Sequence, residues 1–172
     1  MLISLIVPCY NEEEAMPLFY KEASRVAAEM KASHGAEFEF IFVDDGSRDG
    51  TLRVARELHA QDPRVRYVSF SRNFGKEAGI YAGLQAAKGD YVATMDADLQ
   101  DSPDEIPELY RMVTEEGYDL VSGWKKRRFD PVGKTLPSKF FNGTARLASG
   151  IKLHDFNCGL KAYRNQVVKS IE

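Results

Sequence analysis

The sequence lacks the features that mark several large protein classes. Its two cysteines, Cys9 and Cys158, are too few for a disulfide framework, and no Cys or His spacing typical of a zinc site occurs. No uninterrupted apolar run approaches the roughly 18 residues of a membrane-spanning helix. The start of the chain has no basic segment and soon meets a proline, unlike a signal peptide. We therefore expect this stretch of chain to be soluble and to belong to a reducing, cytosolic compartment.

Two common nucleotide-binding motifs are also missing. Without G-x-G-x-x-G a dinucleotide-binding dehydrogenase is disfavoured, and without G-x-x-x-x-G-K-[ST] a P-loop NTPase is excluded. The formal net charge of −3 argues against a nucleic-acid-binding protein. The charge is uneven, however: residues 1–124 have 12 basic and 23 acidic side chains, whereas residues 125–172 have 11 basic and 3 acidic ones. This contrast indicates two different tasks within one domain.

Short apolar or aromatic runs predict five β-strands, at residues 2–7, 38–43, 65–70, 91–95 and 118–123. Segments of helical character separate neighbouring runs. Asn11 and Glu14 have the spacing of a capping box, and Ser102 precedes a proline at the first position of another helix. This alternation predicts a single α/β domain over residues 1–172, with a Rossmann-like, largely parallel sheet flanked by helices.

Polar and charged side chains follow each of the first four predicted strands. They occupy residues 8–12, 44–47, 71–76 and 96–100. The carboxyl ends of parallel strands meet along one edge of an open α/β sheet, and this is the edge where ligands bind. The four clusters therefore predict one site rather than four unrelated loops.

The cluster after the fourth strand has the composition of a metal site. Asp96 and Asp98 are two residues apart at a strand end, so their side chains are expected on the same side. Two neighbouring carboxylates repel each other unless a cation lies between them. Oxygen ligands favour Mg²⁺ or Mn²⁺, which bridge to substrate phosphates, and Gln100 offers a third oxygen.

The clusters after the second and third strands add groups suited to a nucleotide. Asp44 and Asp45 can accept hydrogen bonds from a base edge or from ribose hydroxyls, and Ser47 or Asp49 can cap the next helix. Arg72 and Lys76 bring cations that suit a diphosphate. Because both common nucleotide-binding motifs are missing, a metal–diphosphate site points to a nucleotide-sugar donor.

These motifs together resemble family 2 glycosyltransferases of the GT-A fold, and within them the polyprenyl-phosphate (dolichol- or undecaprenyl-phosphate) hexosyltransferase branch. The resemblance rests on VPCYNEEE, VDDGSRDGT, SRNFGKEAG, MDADLQDSP and DFNCGLKAYR, which occur in the family's order over essentially the whole chain. It implies donor binding by Pro8, Tyr10, Asn11, Glu12, Asp44, Arg72, Asn73, Gly75, Lys76, Asp96 and Ala97. It also implies metal binding by Asp96, Asp98 and Gln100, and catalytic roles for Asp98 and Asp155. Members of that branch usually continue into C-terminal membrane helices, so we expect this chain to be a truncated form.

The basic last quarter fits a lipid-phosphate acceptor at an anionic membrane surface. Residues 136–151 contain an apolar stripe at helical spacing, flanked by cations, although the Asn-Gly pair at 142–143 disfavours a helix there. A phosphate monoester is already ionised at neutral pH, so its attack needs alignment by cations more than it needs a general base. Arg127, Arg128 and Lys139 are the candidate acceptor-binding residues. Asp155 either orients the acceptor, acts as a base or caps a helix.

The sequence is thus interpreted as an inverting, metal-dependent glycosyltransferase. It moves a hexose from a nucleoside-diphosphate sugar to a polyprenyl phosphate at the cytoplasmic face of the membrane, and self-association is compatible with the sequence. One alternative is a family 2 enzyme with a hydroxyl acceptor on a polysaccharide, which would need Asp155 as a working base. A receiver-type phosphoacceptor module and an inactive nucleotide-binding fragment are more distant alternatives.

Overall fold

A computed structural model describes residues 1–124 and 158–170. Within this part of the chain, strands and helices alternate as the sequence predicts. The elements are β1 (Leu2–Cys9), α1 (Ala15–His34), β2 (Glu37–Asp44), α2 (Thr51–Gln61), β3 (Val65–Ser69), α3 (Lys76–Ala86), β4 (Tyr91–Thr94), a 3-10 turn (Pro103–Glu105), α4 (Ile106–Thr114), β5 (Leu120–Ser122), β6 (Lys161–Arg164) and α5 (Asn165–Val168). No helix in these two stretches is long and apolar enough to cross a bilayer.

The described strands form one six-stranded sheet in the order β3-β2-β1-β4-β6-β5. The pairs β1–β2, β1–β4 and β2–β3 are parallel, which confirms the predicted fold class. β6 was not predicted, and it runs antiparallel between β4 and β5. The Gly123 N–H donates to the Leu160 carbonyl at 2.9 Å, so the chain just after β5 lies beside the chain just before β6.

The two faces of the sheet have separate apolar clusters. Phe38, Phe40 and Phe42 of β2 pack with buried residues of α1, α2 and α4 on one face. Ile41 and Val43 of the same strand pack on the other face, against α3 and α5. This is the period-2 division of side chains expected for a strand that is buried on both faces.

Of the two predicted helix starts, one is confirmed and one is wrong. Ser102 Oγ accepts the Asp104 N–H at 3.3 Å, and Pro103 opens a 3-10 turn that leads into α4. By contrast, α1 begins at Ala15 after Glu14, with no side-chain cap. Asn11 is unavailable for capping because its side chain bonds to another loop, as described below.

Candidate functional site

A cleft of about 380 Å³ opens at the carboxyl edge of the parallel strands. It is lined by Pro8, Cys9, Tyr10, Glu12, Asp45, Asn73, Gly75, Lys76, Asp96, Ala97 and Asp98. The structure therefore brings together most of the side chains predicted to bind a donor and a metal. Asn11, Asp44, Arg72 and Gln100 are not among the lining residues, and the roles of all of these residues stay predictions.

The adjacent acids at the end of β2 hold the loops around the cleft. Asp44 is 2% exposed and accepts hydrogen bonds from the Ser47 N–H at 3.0 Å and the Ser69 hydroxyl at 2.9 Å. Asp45 accepts from the Phe74 and Gly75 N–H groups at 2.7 and 2.9 Å. Sequence reasoning emphasised Asp44, but Asp45 is the acid of this pair that lines the cleft. The Asp-Asp dipeptide places two acids at this strand end, but the sequence does not show which of the two carboxylates lines the cleft.

Asn11 links two loops at the rim. Its backbone has a φ of 58°, its N–H donates to Ser47 Oγ at 3.0 Å, and its Oδ1 accepts the Arg48 N–H at 2.9 Å. These bonds fix the loop after β1 against the loop after β2. Asn11 thus shapes the rim, although it does not line the cleft.

The loop after β3 crosses close to the loop after β2. Gly46 has a φ of 66°, and a Cβ there would overlap backbone atoms of Arg72, so only glycine fits this crossing. The Arg72 guanidinium lies over the Phe74 ring, 4.1 Å from its centroid. In this arrangement Arg72 stacks beside the cleft, while Lys76, four residues later, reaches into it.

Asp96 and Asp98 both line the cleft, with different partners. Lys76 Nζ lies 2.6 Å from Asp96 Oδ1 and 2.7 Å from Oδ2. Asp98 Oδ1 accepts the Gln100 N–H at 3.0 Å.

The Thr94 hydroxyl donates to the Gly159 carbonyl at 2.9 Å, which holds the chain before β6 against the end of β4.

Negative charge accumulates in this cleft. Burial raises the pKa of Glu12, and the carboxylates of Asp98, Asp49 and Asp96 raise it further. Burial also raises the pKa of the Cys9 thiol, with added contributions from Glu12, Asp44 and Asp96. Such an environment favours a bound cation.

The carboxylates of the cleft fit a hard divalent cation whose remaining ligands are oxygens of the substrate. Within residues 1–124 and 158–170, no three His, Cys, Asp or Glu side chains are arranged to hold a metal ion by themselves. Asp96 and Asp98 would thus supply two carboxylates, and diphosphate oxygens would complete the shell. Mg²⁺ and Mn²⁺ commonly bind to proteins in this way.

The predicted acceptor side lies outside the described residues. Arg127, Arg128, Lys139 and Asp155, together with the apolar stripe of residues 136–151, all fall within residues 125–157. Their predicted roles in acceptor binding and catalysis therefore stay predictions.

Comparison with known proteins identifies the family. The model of "Glycosyl transferase family 2" matches residues 4–172. The chain belongs to glycosyltransferase family 2. Among curated relatives of this family 2 protein, an undecaprenyl-phosphate 4-deoxy-4-formamido-L-arabinose transferase of Pseudomonas aeruginosa (strain LESB58) is 36% identical over 171 residues, covering 99% of this chain and 49% of its own. A dodecaprenyl-phosphate galacturonate synthase of Rhizobium johnstonii is 40% identical over 173 residues, covering 99% and 50%. The chain spans about half the length of these relatives.

Solved structures confirm the GT-A fold of this family 2 chain. A mannosyltransferase from Pyrobaculum calidifontis, in complex with GDP-Man and Mn²⁺, matches with a TM-score of 0.67 at 21% identity, over 98% of this chain and 46% of its own. Glucosyl-3-phosphoglycerate synthase from Mycobacterium tuberculosis matches with a TM-score of 0.61 at 26% identity, over 96% and 58%. At these identities the likeness establishes the fold.

Proposed function

We propose that this family 2 domain transfers a hexose, with inversion, from a nucleoside-diphosphate sugar to a polyprenyl phosphate at the cytoplasmic face of the membrane. The observation that carries the proposal is the cleft at the carboxyl edge, where Lys76 from the chain after β3 meets Asp96 and Asp98 from the chain after β4. A cation beside two acids suits a metal-bound diphosphate better than it suits a neutral ligand.

The relatives support the acceptor class. The two curated relatives described above are named for undecaprenyl phosphate and dodecaprenyl phosphate, and each match extends over nearly the whole of this chain. The net charge of residues 125–172, which contain 11 basic and 3 acidic side chains, suits an anionic lipid and an anionic leaflet.

The donor side of the proposed reaction uses groups from three strand ends. Tyr10, 42% exposed at the rim, offers an aromatic face to the nucleoside, and Lys76 offers a cation to the diphosphate. Asp96 and Asp98, with Gln100 nearby, would hold Mg²⁺ or Mn²⁺, which when bound stabilises the negative charge that develops on the leaving diphosphate.

The acceptor side needs alignment more than activation. An ionised phosphate oxygen attacks the anomeric carbon from the side opposite the diphosphate. The new carbon–oxygen bond forms as the bond to the diphosphate breaks, so the configuration inverts and no proton needs to be removed. Arg127, Arg128 and Lys139 are the proposed residues that position this phosphate, and Asp155 is a further candidate for orienting it.

Calorimetry with UDP and GDP tests the donor site. We expect one of them to bind in Mn²⁺, to bind at least about tenfold more weakly in EDTA, and to lose its Mn²⁺ dependence in Asp98→Asn. Glu108→Gln, at an exposed acid of α4, is the matched control and should bind like wild type. Equal affinity in Mn²⁺ and EDTA would contradict the metal-assisted donor site.

An acceptor panel separates the lipid from a hydroxyl acceptor. With a donor that binds, the protein should glycosylate undecaprenyl phosphate and leave free oligosaccharides unmodified. Arg127→Ala/Arg128→Ala should lower that transfer and spare nucleotide binding. Liposome sedimentation tests the membrane surface: the 172-residue chain should bind anionic vesicles at low salt and neutral ones weakly. Transfer to a hydroxyl acceptor instead would favour the polysaccharide alternative.

A further inference from the structure

Lys76 occupies an unusual position for a side chain proposed to bind a diphosphate. It is the first residue of α3, and its Nζ lies 2.6 and 2.7 Å from the two oxygens of Asp96. Asp96 is itself one of the two carboxylates proposed to hold the metal. The ammonium group therefore contacts the same two oxygens of Asp96 that would bind a divalent cation.

Lys76 faces an excess of negative charge among the described residues of the cleft. Among the described residues that line the cleft, the acids are Glu12, Asp45, Asp96 and Asp98, whereas Lys76 is the one lysine or arginine. A single ammonium group thus faces several carboxylates. It pairs with both oxygens of Asp96, and this contact offsets part of the repulsion between Asp96 and the neighbouring acids.

The geometry also shows which partner is able to move. A Cβ at Gly159 would overlap the Asp96 carboxylate, so the backbone before β6 closes one side of Asp96. Gly159 is itself held to β4 by the bond from the Thr94 hydroxyl. The Lys76 side chain is 43% exposed, against 27% for Asp96, and its four-carbon stem can swing through the open cleft.

We propose that Lys76 and the divalent cation compete for Asp96, and that Lys76 moves onto the donor diphosphate when the cation takes its place. This inference rests on the proposed function and assigns Lys76 a regulatory part in it. The ion pair makes Asp96 a poor ligand for a metal alone. A metal that arrives with a diphosphate offers Lys76 a new anionic partner, so metal and donor bind cooperatively.

Electron paramagnetic resonance of free Mn²⁺ tests this with the 172-residue chain. In Lys76→Met the competing charge is gone, so Mn²⁺ without nucleotide should bind about tenfold more tightly than in wild type. In saturating Mn²⁺, the nucleoside diphosphate should bind the same variant about tenfold more weakly, because one charge-assisted contact is lost. Opposite signs for the two ligands are the signature of competition followed by transfer.

Two further variants make the measurement specific. Lys31→Met removes another ion-paired lysine, whose Nζ lies 2.8 Å from Glu37 and away from the cleft, and this variant should bind both ligands like wild type. Lys76→Arg keeps the charge and should keep the weak binding of Mn²⁺ alone. Circular dichroism and melting temperature report whether each variant is folded.

The outcomes separate the inference from the proposed function. If Asp96→Asn abolishes Mn²⁺ binding with nucleotide while Lys76→Met binds Mn²⁺ alone no better than wild type, the competition is wrong and the donor site stands. If Lys76→Met binds both ligands more weakly, Lys76 is only a donor contact and the inference is overturned. If no variant binds Mn²⁺ even with nucleotide, both the inference and the metal-assisted function are overturned.

Discussion

Acidic side chains at the two ends of this sheet differ in how fully other groups of the protein bond to them. Near the amino ends of the strands, Glu39 is 7% exposed and accepts bonds from Ser4 Oγ at 2.6 Å, the Lys88 N–H at 2.7 Å and Arg66 Nη1 at 2.9 Å. Burial would raise the pKa of Glu39, but these donors outweigh it and the pKa is lowered. This carboxylate is fully partnered by groups of the protein.

At the carboxyl edge, the described residues that line the cleft include four acids, Glu12, Asp45, Asp96 and Asp98, and a single lysine, Lys76. Glu12 has a raised pKa because burial and the neighbouring carboxylates of Asp98, Asp49 and Asp96 all act in the same direction. The contrast separates two uses of a buried or half-buried acid. One that is satisfied within the fold stabilises it, whereas a group of acids with excess charge is suited to a ligand cation.

The largest expected effect is at the amino end. Glu39→Ala removes the partner of Arg66 and leaves the Ser4 hydroxyl and the Lys88 N–H without their acceptor. We expect a loss of about 3 kcal/mol in the free energy of unfolding, measured by urea denaturation. Glu37→Ala, at an exposed acid of the same strand, should change stability much less, because its contact with Lys31 is screened by solvent. A Glu39→Ala variant as stable as the Glu37→Ala control would show that the Glu39 contacts do not stabilise the sheet.

A variant of Asp44 tests whether an acid at the carboxyl edge can stabilise the fold as Glu39 does at the amino end. Its two bonds, to the Ser47 N–H and the Ser69 hydroxyl, predict that Asp44→Ala lowers stability by about 1–2 kcal/mol. The same change should weaken nucleotide affinity if Asp44 also contacts the donor. Urea denaturation and calorimetry measure the two effects separately. Weaker nucleotide binding at unchanged stability would make Asp44 a recognition residue alone.

Asp62 extends the comparison to pH. Hydrogen bonds from Arg64, opposed by burial and reinforced by the Tyr20 hydroxyl, lower the pKa of Asp62 to about 2. The unfolded chain takes up this proton at higher pH than the folded one, so the contribution is complete above about pH 4 and is lost as pH falls towards 2. We expect Asp62→Asn to cost about 1 kcal/mol at pH 7, since Arg64 is partly solvated, and only a small part of that near pH 2.

Urea denaturation from pH 7 down to pH 2 measures this effect. Asp119→Asn is the control, because this exposed carboxylate has its neighbouring Arg164 Nη1 3.9 Å away. A cost for Asp62→Asn that persists unchanged at pH 2 would mean that packing, rather than charge, accounts for it.

The smallest expected effect on stability is at Glu12. Because the pKa of Glu12 is raised in the folded protein, its ionised form opposes folding, and stability should increase slightly as pH falls through that pKa. Glu12→Gln should therefore be neutral or stabilising at pH 7, by at most about 0.5 kcal/mol. Calorimetry should show weaker metal-dependent nucleotide binding in the same variant. A clear loss of stability in Glu12→Gln would contradict this and would show that Glu12 stabilises the fold, as Glu39 does.

The sequence predicts the sheet well where strands are buried on both faces. The runs that became β1 to β4 have dense apolar and β-branched residues, and the clusters after them identify the binding edge. β6 escapes prediction because Lys161–Arg164 is short and half polar, and its pairing with β4 joins residues some 70 positions apart. That pairing depends on tertiary packing rather than on local pattern.

The sequence predicts which residues gather at the site better than it predicts where their side chains point. The residues after β1 to β4 do gather at one edge, but the sequence does not show that Asp44 points into the protein while Asp45 faces the cleft. It also assigns Asn11 to a helix cap, although the side chain bonds to the Arg48 N–H across the rim. Each of these choices depends on a partner about 25 to 37 residues away, beyond the reach of any local motif.

The bond between Gly123 and Leu160 has a consequence for how such a domain diversifies. Because the chain departs after β5 and returns before β6 at neighbouring points, the pairing of β5 with β6 requires no particular length of chain between them. Segments whose ends lie close together are the ones at which insertions and exchanges are tolerated. We therefore expect changes of length or sequence within residues 125–157, which contain the proposed acceptor-binding residues, to leave the pairing of β5 with β6 in place.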